Sequence, residues 1–302
     1  MLAYRRIPIR GVLAIAAVVM VTSGLMSTPA AAATNYPVTR TLAGGIAKAL
    51  PDPSASPAGV NPAHCTPTSA HPNPVVLVNG TFANMVDDWS GLGPVLANLG
   101  YCVYGTALGA SPHSFIQTIG SVPASAQQLA TFVDSVRSRT GAAKVDLVGH
   151  SQGGMLAEYY TKVLGGAAKV NAIVGLSPST HGTTLLGLGT LASAFPGGPV
   201  VVAALCPACA DQLTGSSVIR RLDSGPIAQP GVKYTIIETY YEFVVTPAGS
   251  AFIREPGVNN IWLQHVCPFN LTGHASLPYD KGVQSLVRNA LDPAHPKPVS
   301  CF

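Results

Sequence analysis

The sequence predicts an α/β fold with a mostly parallel, doubly wound sheet. Short apolar runs typical of buried strands alternate with longer helical patterns, as in a chain of βαβ units. One of these runs leads through a glycine-containing turn directly into a helical pattern. Residues 75–302 are expected to form this domain, and they are numerous enough for a sizeable single core.

The predicted strands are too apolar for an alternating surface strand, which suits strands buried on both faces of a parallel sheet. They lie at residues 75–78, 101–106, 145–148, 170–176, 234–239 and 260–266. Helices are predicted between or after them, at residues 89–99, 122–139, 155–164 and 281–291.

Residues 1–33 have the pattern of a secretory signal peptide. Three arginines precede an uncharged apolar run at 11–26, and small residues follow up to Ala33. The mature protein is therefore expected to be secreted, with the pair Arg5-Arg6 leaving twin-arginine export as an alternative. The leader holds three of the 17 basic residues and none of the 13 acidic ones, so its removal lowers the net charge from +4 to +1. No nucleic-acid partner is predicted from so small a charge.

Two segments depart from the alternating pattern. Residues 34–74 are rich in Pro, Ala and Ser and are expected to form an extended arm. The segment 178–231 is too long for a simple connection, carries no charge before Asp211, and contains apolar runs at 185–191 and 200–205. It is expected to form a cap or lid. A buried helical excursion and a membrane helix are the alternatives, and an intervening Pro-Gly-Gly-Pro stretch argues against the latter.

Six cysteines in a chain with an export signal predict three disulfide bonds. Spacing alone does not fix the pairing. The pairs expected here are Cys65 with Cys102, Cys206 with Cys209, and Cys267 with Cys301, the first of which would tie the arm to the strand at 101–106. The motif Cys206-Pro-Ala-Cys209 also fits a thioredoxin-type redox site, but the βαβ context of such a site is missing.

The candidate nucleophile lies in the motif Gly149-His150-Ser151-Gln152-Gly153. A serine between two glycines, after an apolar strand and before a helix, is typical of a nucleophile elbow. In that strained turn the hydroxyl is lifted off the sheet, and the positions two before and two after the serine have no room for side chains. Ser151 is therefore the predicted nucleophile, and a tight turn without chemistry is the alternative.

A serine hydroxyl needs a neighbouring base and a carboxylate that orients this base. In enzymes with such an elbow the order along the chain is serine, acid, histidine. His274 is the predicted base, because its loop follows the last predicted strand and can reach the carboxyl edge of the sheet. Of the other histidines after Ser151, His181 is assigned to the mouth of the cap, His265 to a core or structural position in a strand, and His295 to a solvated tail.

The acid should follow the predicted strand at 234–239, where the sequence offers Glu238 and Glu242 but no aspartate. Glu242 is chosen because it lies in the loop beyond the strand. The remaining carboxylates after the serine are expected to cap or solvate helices: Asp211, Asp223 and Asp280.

An oxyanion hole would complete this set. One donor is the backbone N–H of Gln152, next to the nucleophile at a helix N-terminus. The other is expected from the loop after the strand at 75–78, where Gly80 allows the chain to turn and Thr81 follows. The eight histidines are scattered and form no H-x-x-x-H or C-x-x-H pattern, and the carboxylates are not clustered, so no metal or cofactor is expected.

Three segments carry a specific resemblance: Pro74-Val-Val-Leu-Val-Asn-Gly-Thr-Phe-Ala-Asn-Met, Gly149-His-Ser-Gln-Gly-Gly-Met and Tyr241-Glu-Phe-Val-Val-Thr-Pro. Together with Cys206-Pro-Ala-Cys209 they resemble the secreted, class 2-like lipases of actinobacteria, and the likeness covers roughly residues 65–301. The elbow and the oxyanion loop are also similar to those of fungal lipase B.

The resemblance implies an α/β-hydrolase fold and cleavage of carboxylic esters through an acyl-enzyme. It also implies lipid substrates such as triacylglycerols, and transient contact of the protein with a lipid interface. It supports the cysteine pairing given above. Phe82, Met85 and Trp89 become candidates for an acyl site, with plain core packing as the alternative. Two positions depart from the family pattern: Asn79 stands where histidine is common in the oxyanion loop, and Glu242 where the acid is usually aspartate.

Other functions remain open at this stage. A non-lipolytic esterase or an envelope acyltransferase would use the same residues. A catalytically silent secreted binder of lipid or protein could keep the fold without the reaction. The sequence does not predict an oligomeric state.

Overall fold

Six short apolar strands form a single parallel sheet in the spatial order β2-β1-β3-β4-β5-β6. They are β1 Val75–Val78, β2 Val103–Gly105, β3 Val145–His150, β4 Val170–Leu176, β5 Lys233–Glu238 and β6 Val258–Trp262. From β1 the chain passes to β2 at one edge of the sheet. It then crosses to the other side of β1 and adds β3 to β6 in order toward the opposite edge. The prediction of a doubly wound parallel sheet is therefore confirmed.

This computed structural model describes residues 1–2, 35–184, 186–188, 192, 194–196 and 206–302. The expected signal peptide lies outside the described residues apart from its first two positions. So do the apolar run at 200–205 and most of the run at 185–191. The chain from Thr34 to Phe302 forms one compact unit.

The sheet separates two hydrophobic layers because successive side chains of a strand point to opposite faces. In β1, Val76 and Val78 pack in one layer while Val75 and Leu77 pack in the other. The first layer includes apolar residues of the helices that flank the elbow strand, and the second those of the helices before β2 and at the C-terminal end. With helices on both faces, β1 to β4 are buried almost throughout, as their apolar sequences predict, whereas the edge strand β6 is only partly buried.

Helices form at all four predicted places, whereas the other helices and the 3-10 turns were not predicted from the sequence. The α-helices are α1 Leu42–Ala49, α2 Met85–Trp89, α3 Leu92–Asn98, α4 Val122–Thr140, α5 Gln152–Lys162, α6 Pro207–Asp211, α7 Ser217–Asp223, α8 Leu263–Val266 and α9 Lys281–Leu291. The 3-10 turns span Gly166–Lys169 and His274–Tyr279.

Two predicted elements differ from the structure. The single helix expected at 89–99 is divided between α2 and α3, because Pro94 has no N–H to donate to the carbonyl of Ser90. The strand expected at 260–266 was wrong in its second half, which is the short helix α8. Periodicity does not distinguish a strand from a helix in so short an apolar run.

The N-terminal arm is not extended throughout, which corrects the prediction. Helix α1 forms in the proline-free stretch between Pro37 and Pro51, with the Thr41 side chain capping it at the N–H of Gly44. Farther along, the arm lies against the edge strand β2. The N–H of Asn61 donates to the carbonyl of Val103 (2.9 Å), and its side-chain amide bonds to both the N–H and the carbonyl of Gly105. The arm thus occupies the open edge of the sheet.

The three disulfides in the structure are the expected pairs, Cys65–Cys102, Cys206–Cys209 and Cys267–Cys301. The first joins the arm to the residue before β2, and it closes a loop with a sequence separation of 37. The second has a separation of only 3.

Removing the first disulfide is expected to destabilise the protein far more than removing the second. By chain entropy, the bond between Cys65 and Cys102 contributes about 3–4 kcal/mol, whereas a three-residue loop restricts the unfolded chain little. Denaturant unfolding measures the loss of unfolding free energy in the Cys65→Ser/Cys102→Ser and Cys206→Ser/Cys209→Ser double variants. Equal losses would contradict the expectation.

Two further features follow from the described part of the chain. None of its helices combines the length and hydrophobicity that a membrane crossing requires. Within the same residues, no group of three or more histidine, cysteine, aspartate or glutamate side chains is placed to hold a metal ion.

Candidate active site

Ser151 lies in a sharp turn between the end of β3 and the start of α5, at the carboxyl edge of the sheet. Its backbone has φ 54° and ψ −125°, a strained conformation for a residue with a side chain. A Cβ on Gly149 would lie 2.4 Å from the backbone of Gly153, and one on Gly153 would lie 2.0 Å from the carbonyl oxygen of Val78. Only glycine fits these two positions, as the elbow motif predicts.

Glu242 and His274 form a buried pair. Oε2 of Glu242 lies 2.7 Å from Nδ1 of His274. The other carboxylate oxygen of Glu242 accepts the N–H groups of Val244 and Val245. Burial favours the neutral acid, but His274 and these two donors outweigh it and lower the pKa of Glu242. The carboxylate can therefore hold the imidazole with its Nδ1 protonated, which leaves Nε2 free to accept a proton.

His274 Nε2 is buried, and it has no hydrogen-bond partner among the residues that the structure describes. The histidine lies at the start of a 3-10 turn after the last strand, as its predicted loop position requires. Its ring centroid is 5.0 Å from that of His150, the residue before Ser151. The structure therefore brings the imidazole, its carboxylate and the elbow to one edge of the sheet.

Glu238, the alternative acid, lies at the end of β5 and makes no hydrogen bond with His274 within the described residues. One of its oxygens accepts the hydroxyl of Ser177 at 2.8 Å. Burial, and then the negative charge of Glu242, raises the pKa of Glu238 to about 8. Glu238 is thus a neutral acid at pH 7, next to an ionised one.

This raised pKa makes the stability of the protein depend on pH. The folded chain keeps a proton on Glu238 that the unfolded chain releases above about pH 4.5, so the free energy of unfolding falls as the pH rises from there to about 8. Glu238→Gln removes this contribution. We expect its melting temperature to rise relative to that of the wild type as the pH goes from 5 to 8. A difference that stays constant with pH would contradict this.

The two predicted oxyanion residues are in contact. The hydroxyl of Thr81 donates to Oε1 of Gln152 at 2.7 Å, which holds the loop after β1 against the start of α5. The N–H of Gln152 is at the first position of α5, where the helix offers no acceptor. A Cβ on Gly80 would lie 3.2 Å from the Cβ of Ser151, so the loop passes directly beside the nucleophile.

Phe82, Met85 and Trp89, the candidates for an acyl site, are all buried in the core. Trp89 donates its indole N–H to Asn79, and Met85 packs against Gly105, on the side of the arm. Phe82 is 6.5 Å from the ring of Phe195 in the insertion. Since core packing explains each position, a substrate contact stays a prediction for these three residues.

The other histidines form pairs away from Glu242. His181 pairs with Asp223, and His295 is exposed beside Asp292. His265 was predicted to be a core or structural histidine inside a strand. The strand and the core position are wrong, since His265 is exposed in α8, where it contacts the Tyr240 hydroxyl. The predicted capping carboxylates include Asp211, which accepts the N–H of Val122, and Asp280, which caps α9.

Sequence reasoning missed Gln212, just after α6 in the insertion. Its amide donates to the hydroxyl of Thr81 (2.8 Å) and to Oε1 of Gln152 (3.2 Å), while its own oxygen accepts the hydroxyl of Ser179. The insertion therefore holds both predicted oxyanion residues directly. No motif surrounds Gln212, and only the folded chain places it there.

A cavity of about 240 Å³ opens beside His274. Its walls include Tyr241, Phe243 and Val244 from the loop after β5, and Ala194 from the insertion. A larger cavity of about 580 Å³ lies between the arm and the C-terminal residues, but it touches none of the predicted catalytic groups. Of these two cavities, the smaller one is placed to present a substrate to this histidine.

Solved structures that are similar to this chain share its fold. Lipase B of Aspergillus fumigatus superposes with a TM-score of 0.57 at 20% identity over 78% of this chain and 56% of its own. The mature lipase BlEst2 of Bacillus licheniformis gives 0.52 at 16% identity, over 76% and 93%. These likenesses and the parallel sheet confirm the α/β-hydrolase fold.

Triacylglycerol lipases of Pseudarthrobacter phenanthrenivorans and Burkholderia plantarii are each 39% identical to this chain over 95 residues. The match covers 30% of this chain and only 28% and 25% of the two relatives. The model of the family "Lipase (class 2)" matches a longer segment, residues 72–263, which includes the elbow, the oxyanion loop and Glu242. The chain belongs to the class 2 lipase family.

Proposed function

We propose that the protein is a secreted lipase that hydrolyses carboxylic esters, with Ser151, His274 and Glu242 as its catalytic triad. The observation that carries this proposal is the buried pair of Glu242 and His274, whose Nε2 is unpaired among the described residues at the sheet edge that holds the elbow serine. The names of the family and of the two triacylglycerol lipases support an ester substrate.

In this reaction the hydroxyl oxygen of Ser151 attacks the ester carbonyl, and His274 Nε2 takes the hydroxyl proton. The N–H groups of Thr81 and Gln152 donate to the oxyanion of the tetrahedral intermediate. His274 then protonates the leaving alcohol, which departs and leaves an acyl group on Ser151. A water molecule, activated by the same histidine, releases the acid. The buried carboxylate of Glu242 orients the imidazole and stabilises its charged form.

The surface around the cavity supports a lipid substrate. Phe243 lines the cavity and is 65% exposed, and Phe269 and Leu271 on the neighbouring loop are 83% and 70% exposed. Apolar side chains next to a catalytic histidine suit an acyl chain or transient contact with a lipid interface. Secretion, the other part of the proposal, is supported by three disulfides among the described residues and by the leader sequence.

The test is to label the mature protein with a fluorophosphonate and to identify the modified residue by mass spectrometry. We expect one label, on Ser151, and loss of ester hydrolysis in proportion to labelling. An active protein that is not labelled at Ser151 would refute the proposed mechanism. An inactive, unlabelled protein would favour the silent binder.

A chain-length profile on the same preparation separates a lipase from an esterase. We expect turnover of emulsified long-chain glycerides as well as short p-nitrophenyl esters. Activity restricted to short soluble esters would leave the triad intact but make the protein an esterase. Acyl transfer to glycerol or a sugar faster than hydrolysis would make it an acyltransferase.

A further inference from the structure

Asp88 and His150 form a second buried acid–base pair, which takes no part in the reaction steps above. Oδ1 of Asp88 lies 2.7 Å from Nδ1 of His150, and both side chains are 3% exposed. The other ring nitrogen of His150, Nε2, lies 3.1 Å from the backbone carbonyl oxygen of His274. Both neighbours of the ring are acceptors when Asp88 is ionised, so both nitrogens then donate.

With Asp88 ionised, His150 is an imidazolium held between a carboxylate and a carbonyl oxygen. Complete burial disfavours the charge, but the negative charge of Asp88 and the hydrogen bonds to Asp88 and His274 outweigh it and raise the pKa of His150. A buried charged pair is stable only when its remaining hydrogen-bonding positions are filled. Here they are filled by backbone groups of the catalytic loops.

The pair joins three separate segments of the candidate site. The second oxygen of Asp88, Oδ2, accepts the N–H of Gly80 at 2.8 Å, one residue before Thr81 in the oxyanion loop. His150 directly precedes Ser151 in the chain. The bond from Nε2 of His150 ends on the backbone of His274 itself. Segments 62 and 124 residues from His150 are thus fixed to the residue beside the nucleophile.

We propose that Asp88 and His150 are positioning residues that hold the oxyanion loop and the His274 loop at a fixed distance from Ser151. This inference rests on the proposed catalytic roles of Ser151, His274 and Thr81. Because neither member of the pair lines the cavity beside His274, its loss should affect kcat rather than KM. A displacement of about 1 Å at a reacting group costs on the order of 100-fold in rate.

Two substitutions of Asp88 distinguish the effect of its hydrogen bonds from the effect of its negative charge. In Asp88→Asn the amide oxygen can accept the Gly80 N–H, and the amide nitrogen can donate to Nδ1 of a neutral His150, whose Nε2–H still donates to His274. In Asp88→Ala these bonds are lost. We expect Asp88→Ala to lower kcat by roughly 100-fold with KM within about threefold of wild type. Asp88→Asn should keep kcat within about fivefold of wild type.

His150→Asn is a further variant, which removes only the hydrogen bond to the backbone carbonyl of His274. The shorter side chain can still donate to Asp88, but it does not reach the carbonyl of His274. We expect a fall in kcat of about tenfold, again with little change in KM. This variant keeps the buried carboxylate satisfied, so it tests the inference even if Asp88→Ala does not fold.

Asp87 provides the matched control, since it is the neighbouring buried acid of α2 and bonds to Asn84 rather than to His150. Asp87→Ala is expected to lower the melting temperature but to leave kcat within about threefold of wild type. An equal fall in kcat for Asp87→Ala and Asp88→Ala would overturn the inference, as would an unchanged kcat in His150→Asn.

Fluorophosphonate labelling distinguishes this inference from the proposed function. If the wild type is not labelled at Ser151, the triad itself is refuted. If the wild type is labelled and His150→Asn and Asp88→Ala are labelled at the same rate, only the positioning role fails. The expected result is labelling of the wild type and Asp88→Asn at similar rates, with Asp88→Ala about 100-fold slower.

Discussion

Ser151→Ala is expected to lower kcat for ester hydrolysis by roughly a million-fold. The variant lacks the oxygen that attacks the carbonyl, and no other hydroxyl is predicted at the turn between β3 and α5. What remains is substrate binding and the oxyanion N–H groups, which by themselves give only a small part of the catalysis of a serine enzyme. Initial rates on a p-nitrophenyl ester, with active-site titration of the wild type, measure this loss.

The fold should be unaffected, because the hydroxyl of Ser151 is not needed for the hydrogen bond from its N–H to the carbonyl of Leu176. Ser125→Ala is a matched control, since it removes a buried hydroxyl from α4, away from the elbow. This control should keep full activity. Turnover by Ser151→Ala above about 1% of wild type, with contaminating esterase excluded, would show that another group is the nucleophile.

Glu242→Gln is expected to lower kcat by about ten-thousand-fold. The amide oxygen can still accept the N–H groups of Val244 and Val245, but the amide nitrogen would then donate to Nδ1 of His274. His274 would have to carry its proton on Nε2, the nitrogen that should accept the proton of Ser151. The positions of the side chains are kept, but His274 has the wrong tautomer, and this is why replacing one carboxylate oxygen by an amide nitrogen lowers kcat so strongly.

Glu238→Gln is the paired control at the other carboxyl group. Glu238 is neutral at pH 7, and glutamine reproduces both its acceptor for the Ser177 hydroxyl and a donor toward Glu242. We expect activity within about tenfold of wild type. If Glu238→Gln abolished activity and Glu242→Gln did not, Glu238 would be the triad acid.

The sequence predicted those parts of the molecule that depend on local rules. Apolar runs predicted the strands. Gly149 and Gly153 indicated the elbow, because the turn leaves no space for a Cβ at either position. The order serine, acid, histidine limited the base to the histidines after Ser151, and the loop position after the last predicted strand selected His274, which the structure places against Glu242. Each of these inferences needs only a few neighbouring residues or the direction of the chain.

The contacts that the sequence did not predict are between distant residues. The bond between Asp88 and His150 spans 62 positions, and the one between Gln212 and Thr81 spans 131. Nothing local marks these partners, although an acid pair at Asp87 and Asp88 next to the oxyanion loop was a signal that could have been followed. The strand expected at 260–266 failed for a different reason, since a short apolar run fits either a strand or a helix.

The bonds of Asn61 to β2 have a consequence for the behaviour of the protein in concentrated solution. A bare outermost strand offers its unused N–H and carbonyl groups to any similar strand, including that of another molecule. Here the proline-rich arm occupies those groups and is locked in place through Cys65. A chain trimmed back to Val75 would lose this shield, so it should aggregate even if its catalytic groups were intact.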